Sequence, residues 1–473
     1  LVFAIISGGW VAESPTWAPW FDYTGVQLTW ILVGYGFVAA VLPVWLLLAP
    51  RDYLSTFLKI GTIVGLAIGI LIMRPTLTMP GLTKFVDGTG PVWTGNLFPF
   101  LFITIACGAV SGFHALISSG TTPKMLANES QACFIGYGGM LMESFVAIMA
   151  LVAACIIDPG VYFAMNSPMA VLAPAGTTDV VASAAQVVSG WGFSITPDTL
   201  HQIASEVGEQ SIISRAGGAP TLAVGMAYIL HGSLGGLMDV SFWYHFAILF
   251  EALFILTAVD AGTRAARFML QDLLGVISPG LKKTSSLPAN LLATALCVLA
   301  WGYFLHQGVV DPLGGINTLW PLFGIANQML AGMALMLCAV VLFKMKRQRY
   351  AWVALLPTSW LLICTLTAGW QKSFSPDTKV GFLAIANKFQ AMIDSGNIPP
   401  QYTESQLAQL VFNNRLDAGL TIFFMIVVVV LALFSIKTAL AALKEDKPTA
   451  KETPYEPMPE NLDAIETQAK GAH

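Results

Sequence analysis

The chain has 473 residues, 56% of them hydrophobic and 11% charged, with a net charge of −4 at pH 7. A soluble domain carries about 25% charged residues, so this composition argues against a water-soluble protein and leaves much of the surface for lipid. No basic block accompanies the small negative charge, which argues against nucleic acid as a partner.

The chain opens inside an apolar run, Leu1 to Ile6, with no charged leader and no small-residue cleavage site. That run reads as the stump of a helix, and the chain as a fragment. Crossing a hydrocarbon core takes about 20 apolar residues of helix. Runs of that kind lie at 28–49, 53–73, 98–121, 134–157, 242–262, 288–307, 316–343, 351–370 and 416–440. They are continuous rather than alternating, so the expected fold is all-α, a polytopic membrane helix bundle and not a barrel. Region 1–443 is read as the membrane region.

Lys and Arg set the orientation. Arg51, Lys124, Arg264, Arg267, Lys282, Lys283 and the set Lys344, Lys346, Arg347 and Arg349 are expected on the cytoplasmic side. Residues 159–214 hold no Lys or Arg, and 159–217 is placed outside, in the periplasm, as is 371–415. With these ends fixed, span parity works only if the Gly-rich run 220–238 is re-entrant or half-crossing. The alternative is a full span with one more crossing hidden in 168–192. Val380 to Ile393 and Glu404 to Phe412 read as short amphipathic helices. The Lys-, Glu- and Pro-rich tail 444–473 is expected to be disordered and cytoplasmic.

Ionisable and polar groups inside spans are few, and each points to a cavity or a partner. The stretch from Gly108 to Lys124 crowds glycines, Pro123 and hydrogen-bonding side chains into one span. Such a stretch can unwind and receive an anion on backbone N–H groups and hydroxyls. Ser111, His114, Ser118, Ser119, Thr121 and Thr122 are the candidate substrate ligands there; close helix packing through small residues is the competing reading. Gly34, Gly36 and Pro43 suggest a second discontinuity, or a simple kink. Glu251 and Glu143 lie mid-span without a local cation, and with His245 they are the candidate proton carriers. Asp260 and Arg264, four apart, are expected to form an ion pair. Asn327 and Gln328 follow Pro321 and could line a cavity or bond between helices. The six cysteines are scattered singly, so they read as packing residues, and no metal site or disulfide is expected.

No P-loop, H-E-x-x-H or dinucleotide fingerprint is present, so no cofactor is expected. His114 beside Ser118 is the one local nucleophile–base candidate, and it lacks an orienting third group, so an enzyme is not expected.

Four stretches carry a family resemblance: Pro50 to Ser55, Ser111 to Lys124, Asp260 to Arg264, and Trp320 to Gln328. The chain resembles the carbon starvation protein A (CstA) family along its whole length. The resemblance implies a bacterial inner-membrane carrier for peptides or pyruvate, used in carbon starvation and driven by protons. It also implies the inverted-repeat fold of the amino acid–polyamine–organocation (APC) superfamily, with 28–49 opening the second repeat and the first part of the protein missing here. The alternative is a membrane nutrient sensor that binds without transporting.

Overall fold

The apolar runs become helices, and among the described residues every regular element is helical. The architecture is taken from a computed structural model, which describes residues 2–451 except 175, 285, 312–314 and 401. Of the expected disordered tail, residues 452–473 therefore lie outside the described residues.

Helices α1 (Val2–Glu13) and α2 (Ala18–Phe21) lead to α3 (Gly25–Val41). Thr24 starts α3 with a capping box: its hydroxyl accepts the Gln27 N–H at 3.3 Å, and the Gln27 side chain accepts the Thr24 N–H at 2.8 Å. The expected run to residue 49 stops early. Proline disfavours helical geometry in the residue before it, and Leu42, ahead of Pro43, is extended at φ −62°, ψ 148°. The break is a full stop, and the chain turns through 42–47 into α4 (Leu48–Met73).

The expected span 98–121 is split into α5 (Leu97–Ile105), a 3-10 turn at Ala106–Gly108, and α6 (Gly112–Gly120). Ser111 is extended between them, at φ −114°, ψ 111°, and its hydroxyl caps α6 by accepting the His114 N–H at 3.3 Å. Next come α7 (Gln131–Cys155) and four short helices, α8 (Pro159–Asn166), α9 (Met169–Leu172), α10 (Val180–Gly190) and α11 (Pro197–Val207). Then follow α12 (Gly218–Ser233), α13 (Val240–Ile277), α14 (Leu287–Val310), α15 (Gly315–Lys344), α16 (Trp352–Phe374), α17 (Phe382–Asp394) and α18 (Glu404–Lys444). Glu404 to Phe412 is not a separate helix. It is the first part of α18, opened by a Thr403–Gln406 capping box, and no Gly or Pro interrupts it before residue 419.

Among the described residues seven helices are long and apolar enough to cross a membrane: α4, α7, α13, α14, α16, α18 and the Leu319–Lys344 part of α15. With a rise of about 1.5 Å per residue, the 16 residues of α12 reach about 24 Å, short of a core of about 30 Å. One buried cluster joins α7, α8, α10, α11, α12 and α13, through Ala153, Val161, Val188, Leu200, Ile229 and Phe250. A second joins α5, α15, α16 and α18 through Phe100, Ile103, Ile325, Met329, Ala368 and Val428. Phe134, Ile148 and Leu151 on α7 and Phe423, Ile426 and Leu433 on α18 point outward. In water each such side chain would forgo about 1.5–3 kcal/mol of burial, whereas in lipid it is at home. The protein is a multi-pass membrane helix bundle.

Candidate functional site

The break between α5 and α6 leaves helix ends that need partners. Helix α15 supplies them. Asn327 Oδ1 accepts the Phe113 N–H at 2.8 Å, and Gln328 Nε2 donates to the Phe102 carbonyl. Trp320 Nε1 donates to the Thr104 carbonyl at 3.3 Å. Two glycines allow the approach: a Cβ on Gly112 would strike the α15 backbone, and one on Gly324 would strike the Ile103 carbonyl. Asn327 and Gln328, expected among the substrate ligands, are thus buried clamps on the broken helix.

The remaining expected ligands do not converge. Ser118 and Ser119 donate to carbonyls of their own helix, Ala115 and Leu116, and both face outward. Thr121 is buried and Thr122 half-buried at the far end of α6. His245 is exposed and bonds the Ser241 carbonyl on its own helix at 2.8 Å. His114 pairs with Glu143 of α7, with Nδ1 2.7 Å from Oε2. The Cys107 thiol donates to the other oxygen of Glu143 at 3.0 Å, so this cysteine is a polar partner and not the packing residue expected of it.

A cavity of about 430 Å³ opens beside the break. Thr104 of α5, Trp320 of α15, Tyr162 and Asn166 of α8, the start of α12 and Glu251 of α13 line it. Glu251 is the single charged side chain in that lining, and no hydrogen bond or ion pair engages it among the described residues. Asn166 shapes the start of α12: its Oδ1 accepts the Gly217 N–H at 3.2 Å and its Nδ2 donates to Thr221 Oγ1 at 2.9 Å. Gly217 has φ 131°, a conformation glycine adopts without strain. No side chain caps α12, and its first turn lines the cavity, so the positive end of the helix dipole lies there, with Gly218 and Ala219 keeping N–H groups that Pro220 lacks.

The expected Asp260–Arg264 pair is replaced by a longer-range network. Asp260 Oδ2 lies 2.6 Å from Arg51 Nη1 and accepts the Tyr35 hydroxyl at 2.9 Å. Arg264 donates to the carbonyls of Ala39 and Leu42, and Arg267 to that of Ala40 at 2.7 Å. These are carbonyls orphaned where Pro43 ends α3, and two guanidinium groups satisfy them.

Three buried charged residues escaped the sequence reading: Lys372, Asp417 and Asp311. Lys372 near the end of α16 is 5% exposed, with its ammonium 5.2 Å from the Trp93 ring, 5.3 Å from Phe100 and 5.9 Å from Phe382. Asp417 in α18 is 3% exposed, one turn from Asn413, whose Nδ2 donates to Asp311 at 3.1 Å. Lys372 is the one charge in α16, which was its signal; Asp417 follows Arg415 and a pair of asparagines, and only its burial sets it apart.

The family described as "Carbon starvation protein CstA" matches residues 1–368. The chain is 94% identical over 470 residues to the "Peptide transporter CstA" of Escherichia coli strain K12, covering 99% of this chain and 67% of that one. It is 58% identical to the "Pyruvate/proton symporter BtsT" of the same organism, covering 97% of this chain and 67% of the relative. The "Peptide transporter CstA" of Mycobacterium tuberculosis strain H37Rv is 51% identical, over 95% of this chain and 61% of its own length. The chain therefore spans about two thirds of the length of these curated relatives. No solved structure matches it.

Proposed function

This chain belongs to the carbon starvation protein CstA family, and from that premise we propose that it is the larger part of a proton-coupled symporter for peptides, pyruvate or both. The observation that carries the mechanism is the unpartnered Glu251 carboxylate in a cavity shared with the open start of α12. The cavity volume falls in the range of about 300–1,000 Å³ usual for small-molecule sites. Pyruvate and the C-terminus of a peptide both present a carboxylate. A helix N-terminus favours that group, as in broken-helix carriers. An ionised Glu251 repels it. Proton and substrate therefore bind with positive coupling: a protonated Glu251 admits the carboxylate, and the bound carboxylate holds the proton. Both then move together.

A role as nutrient carrier in carbon starvation, and not as enzyme, agrees with the relatives' names. The proposal includes a place in the bacterial inner membrane with the C-terminus in the cytoplasm. Lys346, in the basic loop after α15, donates to the Ala442 carbonyl at 2.7 Å, so that loop and the end of α18 share one side. It also includes a half-crossing α12, periplasmic segments at 159–217 and 371–415, and an APC-type inverted repeat whose second half opens at α3.

The test is uptake of labelled pyruvate and labelled dipeptide by the full-length protein in proteoliposomes, with and without an imposed pH gradient. Glu251→Gln should still bind substrate, lose the pH dependence of binding, and lose gradient-driven accumulation. Full accumulation by that variant would remove Glu251 from the mechanism. Saturable binding without time-dependent uptake by the wild type would favour a sensor.

A further inference from the structure

Cys107, His114 and Glu143 come from three separate elements: the 3-10 turn before the break, the first turn of α6, and the middle of α7. One ligand atom from each, Sγ, a ring nitrogen and a carboxylate oxygen, all lie within 4.8 Å of one another. We propose that these three residues form a binding site for a borderline divalent metal ion of the Zn²⁺ class.

The donor set is the first argument. Thiolate, imidazole and carboxylate are the ligands such an ion takes, at about 2.3, 2.0–2.1 and 2.0–2.2 Å respectively. Tetrahedral ligands at those distances stand about 3.3–3.7 Å apart. The present separations, 2.7 Å between His114 Nδ1 and Glu143 Oε2 and 3.0 Å between Cys107 Sγ and Glu143 Oε1, are hydrogen-bond lengths. Small side-chain rotations open them to the metal spacing.

Charge is the second argument. A divalent ion with one thiolate and one carboxylate is neutral as a unit, which suits a membrane interior where net charge is costly. Openness is the third: His114 and Glu143 side chains are 51% and 31% exposed, so this chain does not seal the cluster. On binding, Cys107 releases its thiol proton to water, His114 coordinates as neutral imidazole, and no redox change occurs. Three protein ligands leave a fourth position for water, the pattern of an exchangeable site and not of a closed structural one. The ion would tie both sides of the helix break to α7. The inference is independent of the role given to Glu251.

The experiment uses the purified full-length protein titrated with Co²⁺ and then Zn²⁺. The wild type should bind one equivalent of Co²⁺ with a near-ultraviolet thiolate-to-metal charge-transfer band, and Zn²⁺ should displace it. Cys107→Ser should lose the band. Loss of even an outer-shell partner weakens metal affinity by about 10–100-fold, so His114→Ala and Glu143→Gln should each weaken Zn²⁺ binding at least about tenfold. Cys133→Ser, at an exposed thiol outside the cluster, should keep the band. Thermal melting of Cys107→Ser in the absence of metal checks that the near-isosteric variant is folded. No band in the wild type, a band that survives Cys107→Ser, or a band that disappears in Cys133→Ser would each overturn the site.

Discussion

Gly112→Ala tests whether α15 holds the two halves of the broken helix. The added Cβ would meet the Asn327 carbonyl oxygen, Leu330 Cβ and, at 2.6 Å, the Ala331 backbone nitrogen, where ordinary contact is 3.4–4 Å. None of these atoms can rotate away, so α6 must retreat from α15 by the order of 1 Å. Overpacking of this kind costs about 1–3 kcal/mol. The retreat also breaks the 2.8 Å bond from the Phe113 N–H to Asn327, and a buried donor left unpaired adds about 1–3 kcal/mol. The better helix propensity of Ala returns at most about 1 kcal/mol. The net loss is about 1–6 kcal/mol, centred near 3. In domains of 150–250 residues each kcal/mol lowers the melting temperature by about 2–4 °C, so a loss near 3 kcal/mol lowers it by about 6–12 °C. The control is Gly136→Ala on α7, whose Cβ would meet nothing within 4 Å and which should melt at or slightly above the wild-type temperature. The assay is thermal unfolding of the full-length protein in detergent. Equal melting of Gly112→Ala, Gly136→Ala and wild type would refute the clamp.

Arg51→Met strands Asp260, a carboxylate 1% exposed, and should cost about 3–5 kcal/mol, with much of it regained in Arg51→Met/Asp260→Leu. A double-mutant cycle in the same melting assay measures the coupling, and strict additivity would show that the pair contributes nothing. Asn166→Leu removes the acceptor of the Gly217 N–H and should destabilise by about 1–3 kcal/mol. If the start of α12 receives the substrate carboxylate, this variant should also raise KM for uptake more than it lowers expression. Thr24→Ala removes the capping box of α3 and should cost about 1 kcal/mol while leaving KM unchanged, which separates general destabilisation from a site effect.

What could be read from the sequence was local. Runs of about 20 apolar residues mark their own spans, and the low helix propensity around Gly108, Ser111 and Gly112 marks the break between α5 and α6. Partner choice is not local. The spacing of four between Asp260 and Arg264 pointed to a pair. The two side chains instead found Arg51, 209 positions earlier in the chain, and the free carbonyls at the end of α3. Those carbonyls are free because of Pro43, so one helix-stopping residue redirected a cation on a distant helix. Lys372 and Asp417 were hidden for a different reason: they sit at the ends of the apolar runs 351–370 and 416–440, where a charge is expected to meet water, and only the fold shows them buried.

Glu143 and Glu251 make the same point for the site. In sequence they are equivalent, each a mid-span carboxylate with no cation one turn away. The fold separates them. The break before α6 swings His114 and Cys107 onto both oxygens of Glu143, so its charge is answered by neighbours. Glu251 receives no such partner and opens on a cavity. A carboxylate already held by two donors exchanges its proton against those bonds, whereas one facing a cavity exchanges it against whatever enters. Only the second arrangement makes protonation depend on substrate, which is the condition for coupled transport.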